Sequence, residues 1–234
     1  MLKILILIAV CLFVSFGAAN AQQEKPSNAE VKKSEPKPVK KANQRPTGAA
    51  SKTAVLSEPF EKATVATMAL QCVKFETEAG SIELEMFPET APESVRGFLN
   101  LAASGALDTT TFSRVVPGFI VQGGDLFTRE AKMTAELDKR ARRTLPDEPS
   151  QIKHERGILS MARGDEPNTA TTNFFILLGE ARHLDGKFAA FGRVTKGMET
   201  VEAINKMPVE SEKPAKPVRI ARATVAACSV PVKP

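Results

Sequence analysis

A chain of 234 residues with 32 Lys plus Arg against 27 Asp plus Glu carries a net charge of +5. Without a basic motif interleaved with aromatics, so small an excess is no nucleic-acid footprint. There is no Trp and no Tyr, so any aromatic wall must come from the 13 Phe or from a His, and the 2 His and 3 Cys are too few and too scattered for a metal-ligand pattern.

Met1, Leu2 and Lys3 open the chain with one positive charge, residues 4–18 are an apolar run, and Ala19-Asn20-Ala21 is the small-x-small pattern of a signal-peptidase site. The run is shorter than the roughly 20 residues a membrane-spanning helix needs. Cys11 lies too deep in it, behind Val10 rather than a small residue, for a lipoprotein site. The expectation is a signal peptide over residues 1–21 and an exported product, periplasmic where the source has two membranes and secreted otherwise. Membrane contact is then confined to the signal peptide. Residues 22–59, rich in Lys, Pro, Ala and Ser, bury too little apolar surface to offset the entropy of ordering and read as a disordered linker. Residues 60–230 form the folded domain, roughly 170 residues and enough to bury about 70% of the surface of the unfolded chain. After cleavage Cys72 and Cys228 remain, in the first and last strands of that domain. In an oxidising compartment they can bridge the two ends, and two buried free thiols fit the count equally well.

Within the domain, residues 69–77 (ALQCVKFET) and 81–87 (SIELEMF) alternate as strands around a Glu78-Ala79-Gly80 hairpin. A helix follows over PETAPESVRGFLNLAASG, with a capping-box pattern at Thr90 and Glu93, Pro92 in the first turn, Val95, Phe98, Leu99 and Ala102 on one stripe, and Gly105 as its stop. The segment 112–125 (FSRVVPGFIVQGGD) is strand, Pro117-Gly118 turn, strand, and it sets two polar groups, Arg114 and Gln122, among core residues. An isolated Arg there reads as an edge residue satisfied by a neighbouring carboxylate. The PGF turn, the QGGD ending and a later NFF strand argue for more. Residues 128–145 are a charged helix or loop, 157–162 (GILSMA) a strand, and 163–172 a turn-rich loop. In the strand 173–177 (NFFIL), Asn173 and Phe175 share one face and Phe174 and Ile176 the other, with one Phe in the core and one exposed beside the amide. A turn at 183–187, a strand over 188–194, a helix over 197–207 carrying Met198, Val201 and Ile204, and a last strand over 220–228 complete the order. Strands outnumber helices, which points to an antiparallel barrel or sandwich with two covering helices.

No nucleophile elbow, phosphate loop or dinucleotide fingerprint stands in its context. Ser113 has no evident base, and His154 reads as structural. What remains is an Arg, two amides and a set of Phe, Ile and Leu residues, a site that binds and polarises without covalent chemistry.

The segments FSRVVPGFIVQGGD, GILSMA, NFFILL and LDGKFAAFGRVTKGM closely resemble, in order, the cyclophilin-type peptidyl-prolyl isomerases over residues 70–228, and with the export signal the bacterial periplasmic ones. The resemblance implies a mainly β fold, a closed eight-stranded antiparallel barrel capped by two α-helices. It implies catalytic roles for Arg114, Phe119 and Gln122. Ile120, Phe175 and Leu184 join Phe119 around the proline ring, Asn173 joins Gln122 on the substrate backbone, and Ala162, Arg163 and Gly164 line the adjoining groove. His183 and Phe188 complete the expected binding set. Relatives often carry Gln at Asn173, Trp at His183 and His at Phe188, so the rate or the preference before proline is expected to differ, and cyclosporin to bind weakly. No cofactor and no metal are implied. The expected partners are proline-containing peptides and unfolded exported proteins, met as a monomer. The alternatives are a catalytically weak proline-peptide binding module or chaperone on the same fold, and an envelope scaffold working through the basic linker.

Overall fold

The computed structural model describes residues 57–228, so the expected signal peptide and nearly all of the expected linker lie outside the described residues. Strands β1 (Gln71–Thr77) and β2 (Gly80–Met86) pair antiparallel, and β1 also pairs with the last strand, β10 (Ile220–Ala227). The remaining sheet strands are β3 (Arg114–Val116), β4 (Ile120–Gly123), β5 (Ile158–Met161), β6 (Phe174–Leu177) and β7 (Ala190–Lys196). They form one eight-stranded antiparallel sheet in the order β10-β1-β2-β7-β5-β6-β4-β3.

This sheet answers the barrel expectation in strand number and direction, but it is curled rather than closed by a ladder. Its end strands are joined only near the seam, by the isolated bridge Thr111–Arg219 and main-chain bonds such as Phe112 N to Val218 O (2.9 Å). The edge of β3 away from β4 is taken instead by the chain around Glu212, whose carbonyl accepts from Val115 N (2.8 Å). Cys72 and Cys228 are disulfide-bonded with Cα atoms 4.9 Å apart, which ties the first strand to the residue after the last.

The inward faces fill one core. Phe75, Phe98, Phe112, Phe174 and Phe191 meet edge-on or stacked with centroids 5.1 to 6.4 Å apart, the arrangement favoured by ring quadrupoles. Helix α2 (Pro92–Ala103) lays Val95, Phe98, Leu99 and Ala102 on this core, as its spacing requires. Its cap differs from the expected one. The N-cap is Ala91, and Thr90 Oγ1 donates to Phe87 O instead. The orphan N–H groups of Glu93 and Ser94 are taken by the carboxylate of Glu148, each at 2.8 Å, with Ser94 Oγ at 2.7 Å. A negative charge at a helix N-terminus is favourable, and this one arrives from 55 residues away along the chain.

The charged stretch after β4 contains helix α3 (Ala135–Arg142), capped by Thr134. Arg140 points inward from it, 5% exposed, and burial lowers its pKa to about 10. It donates to Gly97 O of α2 (3.2 Å), and a Cβ at Gly97 would stand 3.0 Å from that guanidinium, so glycine keeps the two helices close. Arg140 and Arg143 both pair with Glu58, at 3.5 and 3.3 Å. Glu58, placed at the end of the linker by the sequence reading, is therefore held by the folded unit. The short helix α1 (Val65–Ala69) follows it. Helix α4 (Met198–Asn205) covers the sheet with Val201 and Ile204.

Candidate active site

Opposite residues of paired strands point to the same side of a sheet. Register aligns Arg114 with Gln122, Gln122 with Phe175, and Phe175 with Ser160. That row lies on the face away from the main core, because its neighbours Val115, Val121, Ile176 and Leu159 are 0% exposed inside it. Residues 181–188 then loop over the outer face, and a second small apolar cluster forms beneath them from Ile120, Phe175, Leu177 and Ala190, with Phe119, Leu184 and Phe188 packed against it.

Between row and roof is a cavity of about 330 Å³ lined by Arg114, Phe119, Ile120, Gln122, Ala162, Arg163, Phe175, His183, Leu184 and Phe188. These are the residues expected from the sequence, except Gly164 and Asn173, which lie outside the wall. Strand β6 starts only at Phe174. Asn173, half-buried, meets the site through its main chain, its carbonyl accepting from Ala162 N (2.9 Å). Gly164 turns its N–H to Thr169 Oγ1 (3.0 Å). A further correction concerns Phe175, expected to be exposed: it is 5% exposed, because Phe188 meets it edge-on at 6.2 Å.

The turn that presents Phe119 is Val116-Pro117-Gly118-Phe119, closed by Phe119 N to Val116 O (3.0 Å). Gly118 has φ 72°, the left-handed conformation such a turn requires after proline. Its far side is held by Asn205 of α4, buried, whose Oδ1 accepts from Gly118 N (2.7 Å) while Nδ2 donates to Val116 O and Ile120 O (2.9 and 3.0 Å). Asn205 has no role among the expectations drawn from sequence. A polar residue on the stripe next to Ile204 was the available signal.

Arg114 is 45% exposed, donating Nη1 to Gln122 Oε1 at 3.3 Å and Nε to Glu212 Oε2 at 2.7 Å. On the opposite wall the Arg163 guanidinium lies 4.7 Å from the centre of the Phe188 ring and donates to the carbonyls of Gly164 and Asp165, at 2.9 and 3.1 Å. It both faces the aromatic wall and stiffens the loop after β5. At the rim, His183 stacks on Phe119 with centroids 5.9 Å apart.

Behind the cup, His154 is 0% exposed. Its Nδ1 is 3.1 Å from Asp185 Oδ1, its Nε2 is 3.2 Å from Ser160 Oγ, and Asp185 Oδ1 also accepts from His154 N (2.8 Å). Burial holds the His154 pKa below its ordinary value, and the main-chain N–H of His154 holds Asp185 below the usual carboxylate range. The order Ser-His-Asp looks like a nucleophile relay, but Ser160 is also 0% exposed and bonds to Ala189 O (2.9 Å), so no substrate carbonyl can reach it. The network braces the roof loop against β5. Among the described residues no group of three or more His, Cys, Asp or Glu side chains could hold a metal ion.

The family model described as cyclophilin type peptidyl-prolyl cis-trans isomerase/CLD matches residues 72–225. The chain is 42% identical over 141 residues to peptidyl-prolyl cis-trans isomerase CYP23 of Arabidopsis thaliana, a match covering 60% of this chain and 62% of that relative's length. It is 35% identical over 187 residues to peptidyl-prolyl cis-trans isomerase A of Dickeya dadantii, covering 76% of this chain and 95% of the relative. A crystal structure of a Cryptosporidium parvum cyclophilin-type isomerase, solved in the presence of the dipeptide Ala-Pro, superposes with a TM-score of 0.59 at 30% identity, covering 67% of this chain and 99% of that one.

Proposed function

The chain belongs to the cyclophilin-type peptidyl-prolyl cis-trans isomerases, and from that membership we propose that the cup around Arg114 is where its X-Pro bonds are rotated. The observation that carries this reading is the cross-strand row Arg114, Gln122 and Phe175, which puts a cationic donor, an amide and an apolar wall on one hollow.

The barrier to rotation, about 18–20 kcal/mol, comes from amide conjugation. At the twisted geometry that conjugation is lost and the prolyl nitrogen regains a lone pair. A guanidinium fixed beside the ring donates to that nitrogen more strongly than to the planar amide. Only such a difference lowers the barrier, by about 1.4 kcal/mol for each tenfold in rate. Phe119, Ile120, Phe175 and Leu184 hold the ring while Gln122 holds the adjoining carbonyl, so one side of the bond is anchored as the other turns. No bond is made or broken, and the chemistry asks for no cofactor.

Proline-containing peptides are the substrate class, in keeping with the Ala-Pro present with the Cryptosporidium relative. Unfolded exported proteins are the clients, met by a monomer outside the cytoplasm. Support for this is the export pattern of residues 1–21. Cell fractionation tests it: deleting residues 1–21 should leave the protein in the cytoplasm, and continued export would refute it. A protease-coupled assay on a short Ala-Pro peptide tests the chemistry. Arg114→Ala is expected to lower kcat/KM about 100-fold, the scale for losing one oriented donor. Equal rates for the variant and the unaltered chain would leave a peptide-binding module instead.

A further inference from the structure

The carboxylate that holds Arg114 comes from an unusual place. Strands β8 (Val209–Glu210) and β9 (Lys213–Pro214) form a separate two-stranded ribbon whose turn is Ser211-Glu212. Both turn residues are left-handed, with φ 48° and 65°. Two-residue turns of this kind strongly favour Asn-Gly, Asp-Gly or Gly-Gly, because a side chain at positive φ crowds its own backbone. Here both positions carry side chains, and one is a glutamate.

That glutamate reaches the site through two atoms. Its main-chain carbonyl accepts from Val115 N at 2.8 Å, docking the turn on β3. Its Oε2 accepts from Arg114 Nε at 2.7 Å. With Nη1 donating to Gln122 Oε1 at 3.3 Å, the guanidinium is gripped from two sides. Of its five N–H groups, the two bonds leave three for a substrate. A planar fork on a flexible stem offers those donors in a useful direction only when its rotation about the last bonds is stopped. Stability does not explain the arrangement: the pair is 45% and 48% exposed, and exposed pairs add little to a fold.

We infer that Glu212 is a positioning residue for prolyl isomerisation, its carboxylate setting the direction in which Arg114 presents its free N–H groups. The inference rests on the role proposed above for Arg114. It gives backbone strain and side-chain orientation opposite signs, and these can be separated. Glu212→Gly keeps the main-chain bond to Val115, relaxes the left-handed backbone and removes the carboxylate. Glu212→Gln keeps an acceptor of the same reach without the charge.

In the protease-coupled assay with a short Ala-Pro peptide and the full chain, Glu212→Gly is expected to lower kcat by about 5- to 10-fold with KM unchanged. Its Tm should be equal to or above that of the unaltered protein. Glu212→Gln should recover activity to within about 3-fold of the unaltered protein. The Arg114 Nε–H resonance should shift in Glu212→Gly, and to a lesser extent in Glu212→Gln. Activity that rises in Glu212→Gly, stays unchanged in both variants, or falls only in step with Tm would overturn the inference. Arg114→Ala, run alongside, separates the two levels. Full activity there removes the proposed role of Arg114 itself. Lost activity there with unaltered Glu212 variants removes only the positioning role.

Discussion

The two faces of one sheet end up as different materials. On the inner face Val115, Val121, Ile176 and Leu159 lie in register and are fully buried, under α2 and a cluster of Phe rings. One residue along each strand, Arg114, Gln122 and Phe175 face a cavity of about 330 Å³ instead. The alternation is the same, and so is the backbone. What differs is the cover: the curled sheet and a helix close the inner side, while on the outer side residues 181–188 arch over a smaller cluster that also takes in Phe87 and Ile152. A dry hollow in the core would be destabilising in proportion to its volume, whereas a solvent-open one is not. The place where packing stops is therefore where a ligand can enter.

Adjacent phenylalanines put this contrast to its hardest test. Phe174→Ala, on the inner face, is expected to cost about 3–5 kcal/mol by denaturant unfolding. Phe175→Ala, on the wall of the cup, should cost clearly less and mainly raise KM for the Ala-Pro peptide. Equal stability losses would mean the outer cluster is packed as tightly as the core. Next in size is the disulfide, which closes a 156-residue separation around both faces. Reduction, or the paired Cys72→Ser and Cys228→Ser change, should lower stability by about 2–5 kcal/mol while leaving kcat/KM of the folded protein nearly unchanged.

A smaller effect is expected at the hinge between the faces. Asn205→Ala strips partners from Gly118 N, Val116 O and Ile120 O, for a loss of about 1–3 kcal/mol and a fall in kcat/KM as the Phe119 turn loosens. A stability loss with unchanged turnover would show that the turn keeps its shape without this clamp. The smallest effect is a pH dependence behind the roof. His154 has a lowered pKa in the fold, so the unfolded chain binds a proton more readily. Its contribution is whole above the unfolded value, near 6.5, and is lost as pH falls from there through the lowered folded value. Asp185, also lowered, extends the loss further into acid. Urea midpoints should fall on acidification below about pH 6.5, and His154→Gln should flatten the first part of that fall. An unchanged slope in the variant would place the acid sensitivity elsewhere.

Much of this could be read before any coordinates. The alternating strands, the Pro117-Gly118 turn and the α2 stripe follow from φ preference and side-chain period, and each appears where expected. The family motifs brought Arg114, Phe119, Gln122 and Phe175 forward as a set, and the structure gathers them on one cavity. The misses share a cause. Thr90 and Glu93 carry the letters of a capping box, yet Glu148 takes the α2 N-terminus. Asn173 is expected on the cup beside Phe175, yet it stands outside the cavity's lining.

The sequence by itself determined the mainly β character, the order of strands and helices and the residue types at the cup, because these depend on local dihedrals and on a hydrophobic period of two or 3.6 residues. Tertiary structure alone decided which groups meet across long separations: Glu212 with Arg114 at 98 residues, Asn205 with Gly118 at 87, Glu148 with Glu93 at 55. Those meetings depend on register and on the curl of the sheet, which sum small twists over eight strands and leave no mark in any short window of sequence.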